Sequence, residues 1–158
     1  MNVRTPDLAP ITLLEEIFPT DTNPYGTAFG GKILALMDRA AGLAASRFAR
    51  LHFVTASISG VSFRAPVRQG EVAQVVARVV YVSRRTCGVK AEVFAIDKTR
   101  WESRPCGQGV LFMVALGPEG VPVDLPTFKP RGARATREWR EVAAVHRQAR
   151  AGRRRTVR

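Results

Sequence analysis

Gly30 to Arg50 (GGKILALMDRAAGLAASRFAR) contains no proline, is rich in Ala and Leu, and repeats apolar residues at helical spacing, which predicts a helix. At 1.5 Å per residue it would reach about 30 Å, enough to cross a small sheet. Ile33, Leu34, Met37, Ala41, Ala44, Ala45 and Phe48 form an apolar stripe broad enough to be buried, with small residues where a sheet can approach. After it the period changes. Phe53 to Phe63 alternates Val54, Ala56 and Ile58 against Thr55, Ser57 and Ser59, as a half-buried strand does, and Gly60 suggests a bulge.

Further strands are predicted at Pro10 to Phe18, Val72 to Val82, Cys87 to Ile96 and Gly109 to Leu116, the last two separated by the polar stretch Asp97 to Pro105. Pro19 to Phe29 is dense in turn residues and reads as an ordered loop. Val121 to Leu125 suggests an edge piece, and Ala133 to Arg150 a basic helix anchored by Trp139, Val142 and Val145. Connections this short favour antiparallel neighbours. One long helix inserted after the first of about five antiparallel strands is an α+β arrangement in which the sheet must wrap the helix.

Composition narrows the class. The 158 residues, 46% of them hydrophobic, suffice for one core without metal or disulfide support. Met1 to Leu14 holds Asp7 and two prolines and no continuous apolar run, so neither a signal peptide nor a membrane span is expected, and the cytoplasm is the expected location. Cys87 and Cys106 stand far apart with only His52 and His146 as further soft ligands, which suggests no zinc site or disulfide framework; both thiols are expected to be reduced and structural. The net charge of +12 is uneven, since Lys129 to Arg158 has 11 basic and 2 acidic residues while the rest has 14 and 11. The expected division is therefore a folded body over residues 1–128 and a basic helix or tail over 129–158, the tail read first as a solvated segment rather than a polyanion contact.

Asp38, in LALMDRAAGLAA, is the most unusual residue. From the residues alone it is either a solvated aspartate paired with Arg39 or Lys32, or a carboxylate held against apolar surface to attack a carbonyl or deprotonate water. Gly30 and Gly31 open the same helix, where amides without intrahelical acceptors can stabilise an oxyanion, although such a pair also serves as a simple chain reversal. Gly31 and Asp38 lie two turns apart, roughly 10 Å, so one copy alone does not bring both to one carbonyl. Asn23, in TNPYG, is a turn former that can also orient water. Thr55 and Ser57 are read on one strand face, lining a pocket or facing solvent; Arg84 and Arg85 are a hairpin tip or a phosphate contact. Two histidines do not assemble a Ser-His-Asp or Cys-His set.

TDTNPYGTAFGGKILALMDRAAGLAASR followed by VTASISGVSFRAPVRQGE resembles the acyl-CoA hydrolase family of hotdog thioesterases, close to the brain-type acyl-CoA hydrolases. The likeness runs from about Ile17 to Pro126 and includes GQGVLFMVAL and GVPVDLP. It implies a hotdog fold, a long helix wrapped by an antiparallel sheet; dimers joined edge to edge, assembled as trimers of dimers into a homohexamer; and sites shared between subunits. By position, Asp38 matches the family's catalytic acid, Asn23 its asparagine and Gly31 its backbone donor. Asn23 and Gly31 of one subunit would then face the Asp38 of its partner, with Gly30, Thr55 and Ser57 supporting the substrate and Arg64, Arg84 and Arg85 as candidates for the phosphates of CoA. No cofactor is implied, because coenzyme A belongs to the substrate. The sequence departs from the commoner pattern at Ser59 and Gly60, and has Phe29 where many members have His.

The expected reaction is hydrolysis of acyl-CoA to fatty acid and CoA. A hotdog dehydratase would need a histidine before the helix, and none occurs between Met1 and Leu51. The alternative from another class is a non-catalytic acyl-CoA-responsive regulator whose Arg-rich tail contacts nucleic acid; no recognisable DNA-binding helix pair supports it.

Overall fold

Apolar residues at helical spacing produce the central helix, α1 (Gly30–Ala49), which buries Ile33, Leu36, Met37, Ala40, Ala41, Ala44, Ala45 and Phe48. Leu36 and Ala40 widen the stripe read from sequence, and Leu34 sits at its margin. Each large side chain such as Met37 or Phe48 contributes roughly 1.5–3 kcal/mol on leaving water. The helix ends at Arg50, which takes a left-handed conformation and donates its amide to Ser46. The computed structural model describes residues 7–156, with side chains as far as residue 151. Residues 1–6, on which the reading of the N-terminus partly rested, and the last two residues lie outside this range.

Five strands surround α1: β1 (Ile11–Glu16), β2 (His52–Phe63), β3 (Val72–Val82), β4 (Thr86–Asp97) and β5 (Glu102–Leu116). They form one antiparallel sheet in the order β1-β3-β4-β5-β2. Residues that pair across the strands share a face, so Val75 with Val93, Ala77 with Ala91, and Val89 with Leu111 all point at α1. This is the wrapped α+β arrangement expected from the element order, and the hotdog fold that the resemblance implies.

β5 begins seven residues before the predicted strand. Ser103, Arg104 and Pro105 pair with Ile96, Ala95 and Phe94 although they are polar or lack an amide donor. Tertiary partners account for it: Arg104 binds Glu71 at 2.7 and 2.9 Å and the Pro66 carbonyl at 2.8 Å, and Pro105 sits beside a register shift that tolerates a missing donor. Val121 to Leu125 forms no strand; it is held by a bridge at Pro122 and by the amides of Val123 on Ala115, Leu125 on Arg84 and Gly117 on Val121.

The second helix, α2 (Ala133–Thr156), is longer than predicted and lies on the sheet face away from α1. Val142, Ala143 and His146 are buried there against Val80, Tyr81 and Phe112, with Trp139 and Val145 packed beside them. Glu138 binds Arg78 through two bonds of 2.7 and 2.8 Å and also faces Lys90 at 3.4 Å. Charge counting alone describes this segment as solvated; its apolar face and one carboxylate dock it instead.

Candidate active site

The loop before α1 is held by its own side chains. Asn23 accepts from the amides of Tyr25 (3.0 Å) and Thr27 (3.2 Å) and donates through Nδ2 to the Thr27 hydroxyl at 2.9 Å. An amide nitrogen carries two hydrogens, so one Nδ2 donor remains for another group. Bridges from Thr22 to Ala28 and from Thr27 to Arg68, with an Ala28 amide bond to Val67 at 2.8 Å, tie the loop to the segment before β3. Lys32 joins Glu15 and Asp21, and the Phe18 amide and Lys32 together hold the Asp21 carboxyl below its usual range.

This loop delivers the helix tip. Phe29, the residue before α1, offers no side-chain cap; its carbonyl accepts from Lys32 and Ile33, and the amides of Gly30 and Gly31 have no acceptor among the described residues. Both glycines are exposed, and a Cβ on Gly31 would meet nothing within 4 Å. Packing within one chain therefore does not require glycine at 31. A pocket of about 290 Å³ opens beside Gly30, lined by Ile33, Phe63, Arg64, Val67 and Val93. Arg64 thus lies beside the tip, in the same pocket as Gly30.

Asp38 is half-buried two turns along α1, and the Thr55 hydroxyl of β2 donates to its Oδ1. No Lys or Arg bridge to Asp38 occurs among the described residues; Lys32 and Arg39 both go to Glu15. The pairing that would make Asp38 an ordinary surface aspartate is therefore directed elsewhere. Thr55 also lies 3.4 Å from the Met113 sulfur, which ties its hydroxyl to β5.

Ser57 does not share this face. The register slips between Thr55, opposite Met113, and Ser57, opposite Phe112. A bulge at Ala56 breaks the strict alternation that the sequence reading assumed, and Ser57 turns toward α2. There it lines a cleft with Arg84 and Arg85, both of which contact Asp124. One chain therefore joins Asp38 to Thr55, and Gly30 to Arg64, and collects Ser57, Arg84 and Arg85 on the opposite face. Asn23 and Gly31 remain at the tip, away from the Asp38 of their own chain. Asp124 carried no signal in the sequence, because its partners lie some 40 residues away in the chain.

Cys87 and Cys106 are buried and unbridged, and burial pushes the Cys87 thiol up to about 12. Among the described residues no group of three His, Cys, Asp or Glu is arranged to hold a metal, and no helix is long and apolar enough to cross a membrane.

A family model described as the thioesterase superfamily matches residues 25–102. A relative of Zymomonas mobilis, named as an uncharacterized acyl-CoA thioester hydrolase, is 32% identical over 108 residues, 68% of this chain and 72% of the relative. One of Bacillus subtilis is 32% identical over 114 residues, 72% of this chain, which spans 66% of that relative's length. The structure of an acyl-CoA hydrolase from Staphylococcus aureus in complex with butyryl-CoA, CoA and CoA disulfide superposes with a TM-score of 0.83 at 27% identity, covering 93% of this chain and 90% of that one. Structures of the Staphylococcus enzyme also exist with single aspartate, threonine or asparagine residues replaced by alanine. A hexameric acyl-CoA thioesterase superposes with a TM-score of 0.81 at 30% identity, covering 91% and 92% of the two chains.

Proposed function

The chain belongs to the acyl-CoA thioester hydrolases of the thioesterase superfamily, and from that premise we propose that it hydrolyses acyl-CoA to a carboxylic acid and CoA with Asp38 as general base. The observation that carries the reading is the half-buried Asp38 carboxylate, bound by the Thr55 hydroxyl and by no cation among the described residues. Thr55 occupies Oδ1 and leaves Oδ2 to take a proton from water. The resulting hydroxide adds to the thioester carbon, and the charge that develops on the carbonyl oxygen is stabilised by the Gly31 amide. Collapse breaks the C–S bond, and a thiolate leaves without a strong acid. Asn23 positions the water or the carbonyl through its remaining Nδ2 hydrogen. Alanine variants at an aspartate, a threonine and an asparagine in the Staphylococcus relative involve the same residue types as Asp38, Thr55 and Asn23.

Because Gly31 and Asp38 of one chain are about 10 Å apart along α1, the tip and the base in one site come from two copies. β2 is a sheet edge carrying the exposed Val54 and Ile58, which suits edge-to-edge pairing in a homodimer, and the hexameric relative supports three such dimers. Residues 1–128 make up the catalytic unit, with α2 as a docked addition. Arg64 contacts the CoA end of the substrate at the pocket beside Gly30.

Thiol release from a panel of acyl-CoA lengths tests the activity, with Asp38→Asn expected to lower kcat by about 10²–10⁴-fold. A single turnover in ¹⁸O-water separates base from nucleophile: label is expected in the product acid, and label in the Asp38 side chain would make it the nucleophile instead.

A further inference from the structure

Eight arginines, two glutamates and no lysine supply the charges of α2. Glu138 is committed to the sheet side, bound by Arg78 and facing Lys90. That leaves Glu141 as the carboxylate of the outer side, 3.9 Å from Arg137. At about 100° per residue, Arg137, Arg140 and Arg147 fall in one narrow stripe opposite the buried Val142 and His146, and all three are exposed. Arg134 and Arg150, also exposed, flank the stripe. Arg134, Arg140, Arg147 and Arg150 meet no carboxylate among the described residues.

Folding does not account for this pattern. The first turn of α2 contains no acidic residue, and Arg134 puts a cation where the helix dipole favours an anion. Arg137 and Arg140 stand three residues apart, as do Arg147 and Arg150, a spacing at which like charges repel. A helix face that serves solubility alone mixes both signs and pairs them. Docking through Val142, Ala143 and His146 holds these cations on one surface in spite of their repulsion. A partner dense in negative charge removes that repulsion, and guanidiniums bind phosphate oxygens in pairs. Arg137 to Arg147 spans about 15 Å of helix axis, a length over which a nucleic-acid duplex presents about nine phosphates. Single strands are favoured by exposed aromatic platforms, whereas Trp139 packs inward on Tyr81 at 5.3 Å. An anionic membrane is favoured by a free apolar face, whereas Val142, Ala143 and Val145 are already covered by the sheet.

We propose that the outer face of α2 binds the phosphate backbone of double-stranded nucleic acid, with Arg137, Arg140 and Arg147 at the centre of the contact, and does not read base sequence. Backbone contact needs no recognition helix pair, and because this face lies across the sheet from α1 and Asp38 it does not depend on the reaction there.

The test follows the fluorescence anisotropy of a labelled duplex of about 20 base pairs titrated with the full chain between about 50 and 200 mM salt. Affinity is expected to fall linearly with salt on logarithmic axes, and a duplex of unrelated sequence is expected to bind equally. Arg137→Gln, Arg140→Gln and Arg147→Gln combined are expected to weaken binding about tenfold or more and to flatten the salt slope by roughly two to three. Glutamine keeps the helix propensity of arginine, and circular dichroism melting establishes that the variant is folded. Arg50→Gln, Arg68→Gln and Arg100→Gln combined remove the same charge from other exposed positions and are expected to leave duplex binding near that of wild type. Equal weakening in the two triple variants would reduce the contact to net charge and overturn the proposal. An unchanged slope in the α2 variant, or no duplex binding at the lowest salt, overturns it too. Tighter binding to a single strand of the same length does so as well. So does stronger binding, at equal phosphate concentration, to vesicles of phosphatidylcholine and phosphatidylglycerol in equal parts, which would make the face a membrane contact.

Discussion

Replacing Thr55 with valine keeps the shape of the side chain and removes the hydroxyl that donates to Asp38. Thr55 is exposed on an edge strand, so the melting temperature is expected to move little while kcat falls about tenfold, in line with the loss of one charge-assisted bond. Gly31→Ala makes the complementary case. The added methyl meets nothing in its own chain, so folding is expected to be unharmed. If the Gly31 amide faces the carbonyl oxygen, the methyl crowds the substrate and kcat/KM drops; unchanged kinetics would remove Gly31 from the site. Both substitutions separate chemistry from folding because the residues concerned are lightly packed within one chain.

At the scale of elements, α2 is the informative one, since its sequence is mostly charge and its docking depends on a few contacts. A Cβ on Gly88 would lie 2.7 Å from Val142 and 3.2 Å from Tyr81, so Gly88→Ala is expected to push α2 off the sheet at a cost of about 1–3 kcal/mol. Faster amide exchange confined to α2 is the readout. Glu138 links the helix to β3 and β4. Burial raises its carboxyl, but Arg78 and Lys90 outweigh burial and hold it below the ordinary value of 4.5. A lowered carboxyl stabilises docking above that value and ceases to do so as pH falls through the depressed one. Protection of the α2 amides, relative to their intrinsic exchange rates, is therefore expected to be high at pH 7 and to fall as the pH drops through the depressed carboxyl value below 4.5, and Glu138→Gln is expected to abolish that acid dependence.

For the whole molecule, a site divided between two copies makes a prediction that no single chain can satisfy. Asp38→Ala and Asn23→Ala proteins are each expected to be nearly inactive. Mixed by co-expression, half of the dimers pair the two variants, and each such dimer contains one site with both native residues, so roughly a quarter of wild-type turnover returns. No recovery in verified hybrids would place Asn23 and Asp38 in the same copy or outside the site. A proline at Ile58, in the middle of the β2 edge, is expected to give a smaller species by light scattering and to abolish turnover with it.

The long helix, the four strands after it and the fold class were legible in the chain because each rests on local periodicity: 3.6 residues along α1, two along β2 and β3. Asp38 stood out for a similar reason, as a carboxylate among alanines and leucines. Local pattern failed where partners lie far off in the chain. Glu71 and Pro66 draw Ser103 to Pro105 into β5. A bulge at Ala56 sends Thr55 toward Asp38 and Ser57 toward α2. Asp124 orients Arg84 and Arg85 from outside the cleft they line. The sequence by itself determined the place of the long helix, the cores of the strands and the face that α1 buries, since those follow from neighbours a few residues apart. Only the tertiary structure decided which polar side chains meet, because a hydrogen bond or ion pair needs its groups within about 3–4 Å, a distance set by the register and packing of the whole sheet.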